Sequence, residues 1–290
     1  MNLPIKITAM KMNSNLLNRT IFGAIYVAII VCGILCGPFV LLVLQLLLST
    51  LAVNEFLAMT TPSTENPETA ATNLLLRSYD CVGAALIVIT VWTGQLFLPG
   101  LVIYLLYIVL RLTMQLHVKN ADALQSLSHS FMSQLYVALP IALMSVVYRI
   151  SPHLLLLLFI LVWVNDTFAY LCGITFGRHK LWERISPKKT WEGFCGGVLF
   201  TVIISTLCGV WFSRYFGGFG PVALGFTGLV VGVAGTYGDL IESLIKRTCR
   251  VKDSGHLIPG HGGILDRIDS ILLVIPVALI LFHLIYSYGF

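Results

Sequence analysis

The sequence predicts an all-α polytopic integral membrane protein of about nine transmembrane helices, with a cytoplasmic N-terminus and the C-terminus outside. Three observations carry this. Of 290 residues, 18 are Lys or Arg and 13 are Asp or Glu, so 11% are charged, against roughly 25% in an ordinary soluble domain. Apolar residues make up 57%, with a mean hydropathy of +0.90, in continuous rather than alternating runs, which disfavours a membrane β-barrel. The basic residues also segregate to one side once the runs are taken as spans. The apolar excess excludes disorder. Seven scattered cysteines, an odd number, do not suit a secreted disulfide scaffold.

A helical span needs about 20 mostly apolar residues. In chain order the candidates are 20–36, 38–60, 81–98, 100–115, 130–148, 153–173, 193–212, 222–245 and 271–288. The first two form a run too long for one crossing. Gly37-Pro38 divides it, because proline disfavours helical backbone in the residue before it. Pro99-Gly100 divides the third span from the fourth in the same way. Lys6, Lys11 and Arg19 ahead of the first run resemble a signal peptide. That run exceeds signal length and no small-residue cleavage site ends it, so an uncleaved first span is expected. Residues 61–79 read as a polar linker without chemistry. With the N-terminus inside, only Arg149 and Arg214 of the 18 basic residues fall outside. Basic residues before 160 read mostly as topological anchors. Residues 1–150 are expected to form a scaffold of about five helices. Residues 151–290 would be a catalytic region of about four, with cytoplasmic loops 174–192 and 246–270.

Ionisable groups inside a span are costly and usually face a partner or a wet cavity. Asp166, after Asn165, lies near the cytoplasmic end of the sixth span, and Asp239 and Glu242 lie in the last turns of the eighth. Asp239, Glu242, Ser243 and Lys246 follow the i, i+3, i+4, i+7 rule and share a helical face. Asp266 and Asp269 share another. Carboxylates at that density repel one another unless cations sit between them, and Asp oxygens suit Mg²⁺, which also takes substrate phosphates. Neighbouring Lys and Arg suit phosphate oxygens. Gly260, Gly262 and Gly263 around His261 allow backbone to approach a phosphate. A histidine there could equally cap a helix. In the other loop, Ser186-Pro187 reads as an N-cap followed by proline at the first helical position. Lys188 and Lys189 would then face an anion docked at the helix start, unless they serve as headgroup anchors.

The stretch 243–269, SLIKRTCRVKDSGHLIPGHGGILDRID, together with NDTFAYLCGITFG at 165–177, SPKKTWEG at 186–193 and GTYGDL at 235–240, resembles the phosphatidate cytidylyltransferases, or CDP-diacylglycerol synthases. One departure is Tyr237, where members often carry a polar residue. The resemblance implies transfer of a cytidylyl group from CTP to phosphatidate, giving CDP-diacylglycerol and pyrophosphate, in a bacterial plasma membrane with the site on the cytoplasmic side. It also implies Mg²⁺, with a second, monovalent cation such as K⁺, and a homodimer among membrane lipids. No nucleic-acid partner is expected. Carried onto this sequence, Asp239, Asp266 and Asp269 are the expected metal ligands, with Asp253 and Asp166 as further ligands or ion-pair partners. Lys246, Lys252, Arg267 and Arg247 are expected on lipid or nucleotide phosphate, and Lys188 and Lys189 on CTP. Asn165, Ser186, Ser243, Gly260, His261, Gly262 and Gly263 would complete the substrate site. A cation-coupled transporter would explain the buried acids but not two basic, Gly-rich loops. The motif of the CDP-alcohol phosphotransferases is absent.

Overall fold

The structure is a computed structural model that describes residues 20–61, 66–94, 97–118, 122–255, 257 and 262–288. Among the described residues, eight helices are long and apolar enough to cross a membrane, and a shorter apolar helix, α1 (Thr20–Leu35), precedes them. This bears out the polytopic all-α expectation. The others are α2 (Pro38–Thr60), α3 (Pro67–Thr93), α4 (Phe97–His117), α5 (Ala123–Met132) continuing through a π turn into α6 (Leu139–Ile150), α7 (Pro152–Phe176), α8 (Trp191–Phe212), α9 (Pro221–Thr248) and α10 (Leu265–Tyr288).

Each boundary has a local cause. Gly37, at φ 115°, makes the turn between α1 and α2, and Pro38 opens α2 where its missing N–H costs nothing. Residues 61–79 are not all linker, since α3 begins within them. The Asn66 side chain accepts from Glu68 N (3.0 Å), Pro67 holds the first helical position and Glu68 sits in the first turn. These start signals outweigh the polar composition. They give α3 27 residues, about 40 Å at 1.5 Å per residue, so its first turns stand outside a hydrocarbon core of about 30 Å. The break before α4 falls at Gly94 (φ 45°) and not at Pro99-Gly100, which lie in the first turn of α4 where proline is tolerated.

A second correction concerns the loop before α8. Ser186 is not an N-cap. Ser186–Thr190 is a strand (β2) paired antiparallel with Lys180–Trp182 (β1), in register Lys180↔Thr190 and Trp182↔Ser186. The cap falls to Thr190, whose Oγ1 accepts from Gly193 N at 3.2 Å, with Glu192 in the first turn. Glu192 also accepts from the backbone N–H of Arg178 and His179 and contacts His179 Nδ1 at 2.6 Å, which fastens the hairpin to the helix start. Pro187 is tolerated because a strand of a two-stranded hairpin has an open edge.

The core is continuous, from Ile30 and Ile34 of α1 through α2, α3 and the α5–α6 helix to α7, α9 and α10. Helices α7 to α10 pack closely together, and α10 also meets α6 and α2. Outward residues such as Val102, Leu106 and Leu116 of α4 are exposed apolar groups suited to lipid.

Candidate active site

The last three turns of α9 and the first turn of α10 bring the site together. Oxygens of Asp239, Glu242 and Asp269 all lie within 4.8 Å of one another. Gly238 permits this. A Cβ there would lie 2.9 Å from the Asp269 carbonyl oxygen and 3.0 Å from Ser270 Cα, so a side chain would force α9 away from α10. Ser243 donates to Asp239 Oδ1 at 3.1 Å. Lys246 donates to Glu242 (2.7 Å) and to Asp266 Oδ1 (2.6 Å), so the face expected along α9 does form.

Asp266 stands apart from the three-carboxylate group. Its Oδ2 accepts from Ser254 N (2.9 Å), the Ser254 hydroxyl (2.9 Å) and Gly263 N (2.8 Å). It thus ties Ser254 and Gly263 to the start of α10. Gly262, at φ 82°, is needed there, because a Cβ would lie 2.6 Å from Asp266 Oδ2. Gly260 and His261 lie outside the described residues.

The hairpin adds one lysine. Strand alternation turns Lys188 and Lys189 to opposite faces. Lys188 is exposed, whereas Lys189 reaches Asp239 Oδ2 at 2.8 Å and the Thr236 carbonyl at 3.3 Å. Asn165 donates to Thr236 Oγ1 at 3.2 Å, while its own Oδ1 is buried without a partner among the described residues. Asp166, one residue on, is within electrostatic reach of Asp239 and Lys189. Lys252 and Asp253 are exposed on the loop, and Arg247 faces outward and bonds the Val251 carbonyl at 3.3 Å. Ser186 lies in β2, four residues before the cap.

A cavity of about 340 Å³ opens beside these groups. Its lining is mixed, with apolar groups from Phe22, Tyr26 and Val27 of α1 and Val162 and Trp163 of α7, and charged groups from Asp166 of α7 and Asp266, Arg267 and Asp269 of α10. Tyr26 fixes α1 there by donating to the Arg267 carbonyl at 2.9 Å and meeting Trp163 edge to face.

Two acids in the first half of the chain escaped the search for charges inside spans. Glu55 of α2 accepts from Leu265 N (2.9 Å) and from the Ser254 hydroxyl (3.3 Å), so it caps α10 and holds the same loop as Asp266. Its place inside the apolar run 38–60 signals a buried acid but not the distant groups that it meets. Asp80 was hidden by the misread start of α3. It pairs with Arg111, which is therefore a buried ion-pair partner and not an interfacial anchor.

The cytidylyltransferase family matches residues 17–285. The phosphatidate cytidylyltransferase of Staphylococcus aureus (strain COL) is 41% identical over 166 residues, 56% of this chain and 62% of that protein. The chain thus spans somewhat less than two thirds of that relative's length. The phosphatidate cytidylyltransferase of Staphylococcus epidermidis (strain ATCC 12228) is 33% identical over 272 residues, 91% of this chain and 97% of that protein. With a match that takes in nearly all of the sequence, from the start of α1 to the end of α10, the chain belongs to the cytidylyltransferase family.

Proposed function

We propose that this protein transfers a cytidylyl group from CTP to phosphatidate, releasing pyrophosphate and leaving CDP-diacylglycerol in the membrane. The observation that carries this reading is the cavity lined by both apolar and charged groups beside the Asp239–Glu242–Asp269 cluster. An amphiphile with an anionic head and acyl tails combines the same two characters. The family membership and the relatives' names support the same activity.

The carboxylate group fits a hard cation. Its donors are all oxygens, and Glu242 Oε1 is buried with no partner among the described residues. Five acids in the cluster or the cavity lining (Asp166, Asp239, Glu242, Asp266, Asp269) accompany three side-chain cations (Lys189, Lys246, Arg267), a formal deficit of two positive charges that one divalent ion would balance. Asp239, Glu242 and Asp269 would hold Mg²⁺, which when bound would screen phosphate charge and stabilise the departing pyrophosphate. Two polyanionic substrates add further negative charge, which gives a second, monovalent cation such as K⁺ a role.

The remaining work falls to this chain's own groups. A lipid phosphate has its second pKa near 6, so it arrives anionic and needs little general-base help. One of its oxygens bonds the α-phosphorus of CTP as the bond to pyrophosphate breaks. Lys189, at the mouth of the cluster, receives nucleotide phosphate. Arg267, in the cavity lining, receives the lipid phosphate, and Lys246 holds Glu242 and Asp266 in place. The basic bias of the loops puts the site on the cytoplasmic side, where CTP enters from water and lipid from the bilayer. A homodimer would form through the lipid-facing helix surfaces.

The test is an assay in detergent with labelled CTP, phosphatidate and Mg²⁺. A lipid-soluble cytidine product is expected, abolished by EDTA and by Asp239→Asn. No labelled lipid from any phosphatidic acceptor would sink the activity. Full activity in a folded Asp239→Asn would sink the cation assignment.

A further inference from the structure

Between α5 and α6 the helix widens into a π turn, Ser133–Ala138, in which Leu139 N–H bonds the Gln134 carbonyl five residues back. Pro140 accounts for its position, since it has no N–H to give the Tyr136 carbonyl four residues back and its ring crowds that oxygen. A π turn re-aims the side chains it carries, and such turns gather at functional sites. This one carries Tyr136, whose ring packs against Phe56 at 6.3 Å.

The Tyr136 hydroxyl is buried and has no hydrogen-bond partner among the described residues. It lies within electrostatic reach of Glu242, Asp269 and Asp239. Neighbouring donors of the same turn are satisfied, Ser133 by the Ser130 carbonyl (2.7 Å) and Gln134 Nε2 by the Asp80 carbonyl (2.9 Å). Glu242 Oε1 is also unpaired, so the hydroxyl and that carboxylate oxygen do not satisfy each other. An unpaired buried hydroxyl costs free energy that phenylalanine would not incur. The cost is offset if a ligand later supplies an acceptor.

A site this rich in carboxylates repels a phosphate, and a neutral donor close to it adds attraction without adding another charge to be balanced. We propose that the Tyr136 hydroxyl donates a hydrogen bond to a phosphate oxygen of a substrate held at the Asp239–Glu242–Asp269 cluster. This rests on reading that cluster as the reaction site. The acceptor belongs either to the lipid phosphate or to the nucleotide.

The test compares full-length protein and Tyr136→Phe in detergent, by saturation kinetics in phosphatidate and in CTP and by melting temperature with and without each. A hydrogen bond to a charged acceptor predicts a fall in kcat/KM of about ten- to a hundredfold. Without substrate, the melting temperature should stay the same or rise. With substrate, the stabilising shift should shrink for the one whose phosphate meets the hydroxyl, which tells lipid from nucleotide. Unchanged kcat/KM would overturn the proposal. So would a lower melting temperature without substrate, which marks a structural hydroxyl, or full recovery at raised Mg²⁺, which would make the waters of a hydrated cation the partner, donating to the tyrosine oxygen. Asp239→Asn run in parallel separates the two levels. If it stays fully active, the cluster reading fails. If it is dead while Tyr136→Phe is unaffected, only the tyrosine assignment falls.

Discussion

Two groups of buried charge sit in this protein, and their bonding differs. At Asp80, in α3, one carboxylate oxygen accepts from Arg111 Nε (3.1 Å), the Tyr107 hydroxyl (2.9 Å) and the Ser130 hydroxyl (2.7 Å). Arg111 spends its other donors on Gln115 (3.0 Å) and Ser126 (3.3 Å). One acid meets one base, and neutral side chains take up the remainder. Between α9 and α10 the acids outnumber the bases, three carboxylates crowd together and Glu242 Oε1 goes unpaired. The first arrangement balances its own charge and ties α3 to α4 and α5, although the neutral Gln115 Nε2 has no partner among the described residues. The second is complete only with further positive charge, and it borders a cavity. Burial of charge does not separate structure from function here, whereas the state of its pairing does.

The contrast gives opposite expectations for removing one charge. Asp269→Asn should cut activity by about a thousandfold while leaving the melting temperature unchanged or raised, because it relieves repulsion among carboxylates. Arg111→Leu should do the reverse. It strands Asp80 and should cost about 3–5 kcal/mol of stability, with specific activity of the folded fraction near that of the parent, and Asp80→Leu/Arg111→Leu should recover most of the loss. Thermal unfolding and activity measured on the same samples would check both. A destabilised Asp269→Asn would mean that the α9–α10 group is structural after all.

A smaller effect separates the two hairpin lysines. Lys189→Ala removes a partner of Asp239 and should lower kcat/KM for CTP about tenfold or more, against a lesser change for Lys188→Ala on the opposite face. Equal losses would indicate that the hairpin acts through its summed charge. Glu55→Gln should be milder again. It keeps the shape but weakens the bonds to Leu265 N and Ser254, with about 1–2 kcal/mol of destabilisation and a several-fold fall in kcat at constant KM. The smallest expected change concerns the caps. Thr190→Ala should cost about 1 kcal/mol, and Ser186→Ala should stay within about 0.5 kcal/mol. The reverse order would restore Ser186 as the cap.

How much of this could be read in advance depended on the range of the physics involved. The shared face of Asp239, Glu242, Ser243 and Lys246 was legible because helical periodicity is local. The hairpin was misread because Ser186-Pro187 and Thr190 both carry start signals. Pairing with Lys180–Trp182, which no local rule registers, decides between them. Asp266 looked like another cluster carboxylate, since it shares a face with Asp269. Its oxygens are instead taken by Lys246, Ser254 and Gly263, and that depends on how the Gly-rich loop folds back. Glu55 and Tyr136 were out of reach for a stronger reason. Glu55 meets Ser254 across 199 residues of chain, and a single sequence gives no sign of which distant spans will touch.

The sequence by itself determined the class of protein, close to the number of spans and the region where chemistry concentrates. Each follows from quantities that add along the chain: hydropathy over a window, charge per loop, and residue types at fixed spacing. Only the tertiary structure decided which acids face one another, which of two adjacent lysines enters the cluster, and which groups from the first half of the chain reach it. Those outcomes depend on helix–helix approach, set by contacts as close as Gly238 against Asp269 and Ser270, where a few tenths of an ångström change what a carboxylate can touch.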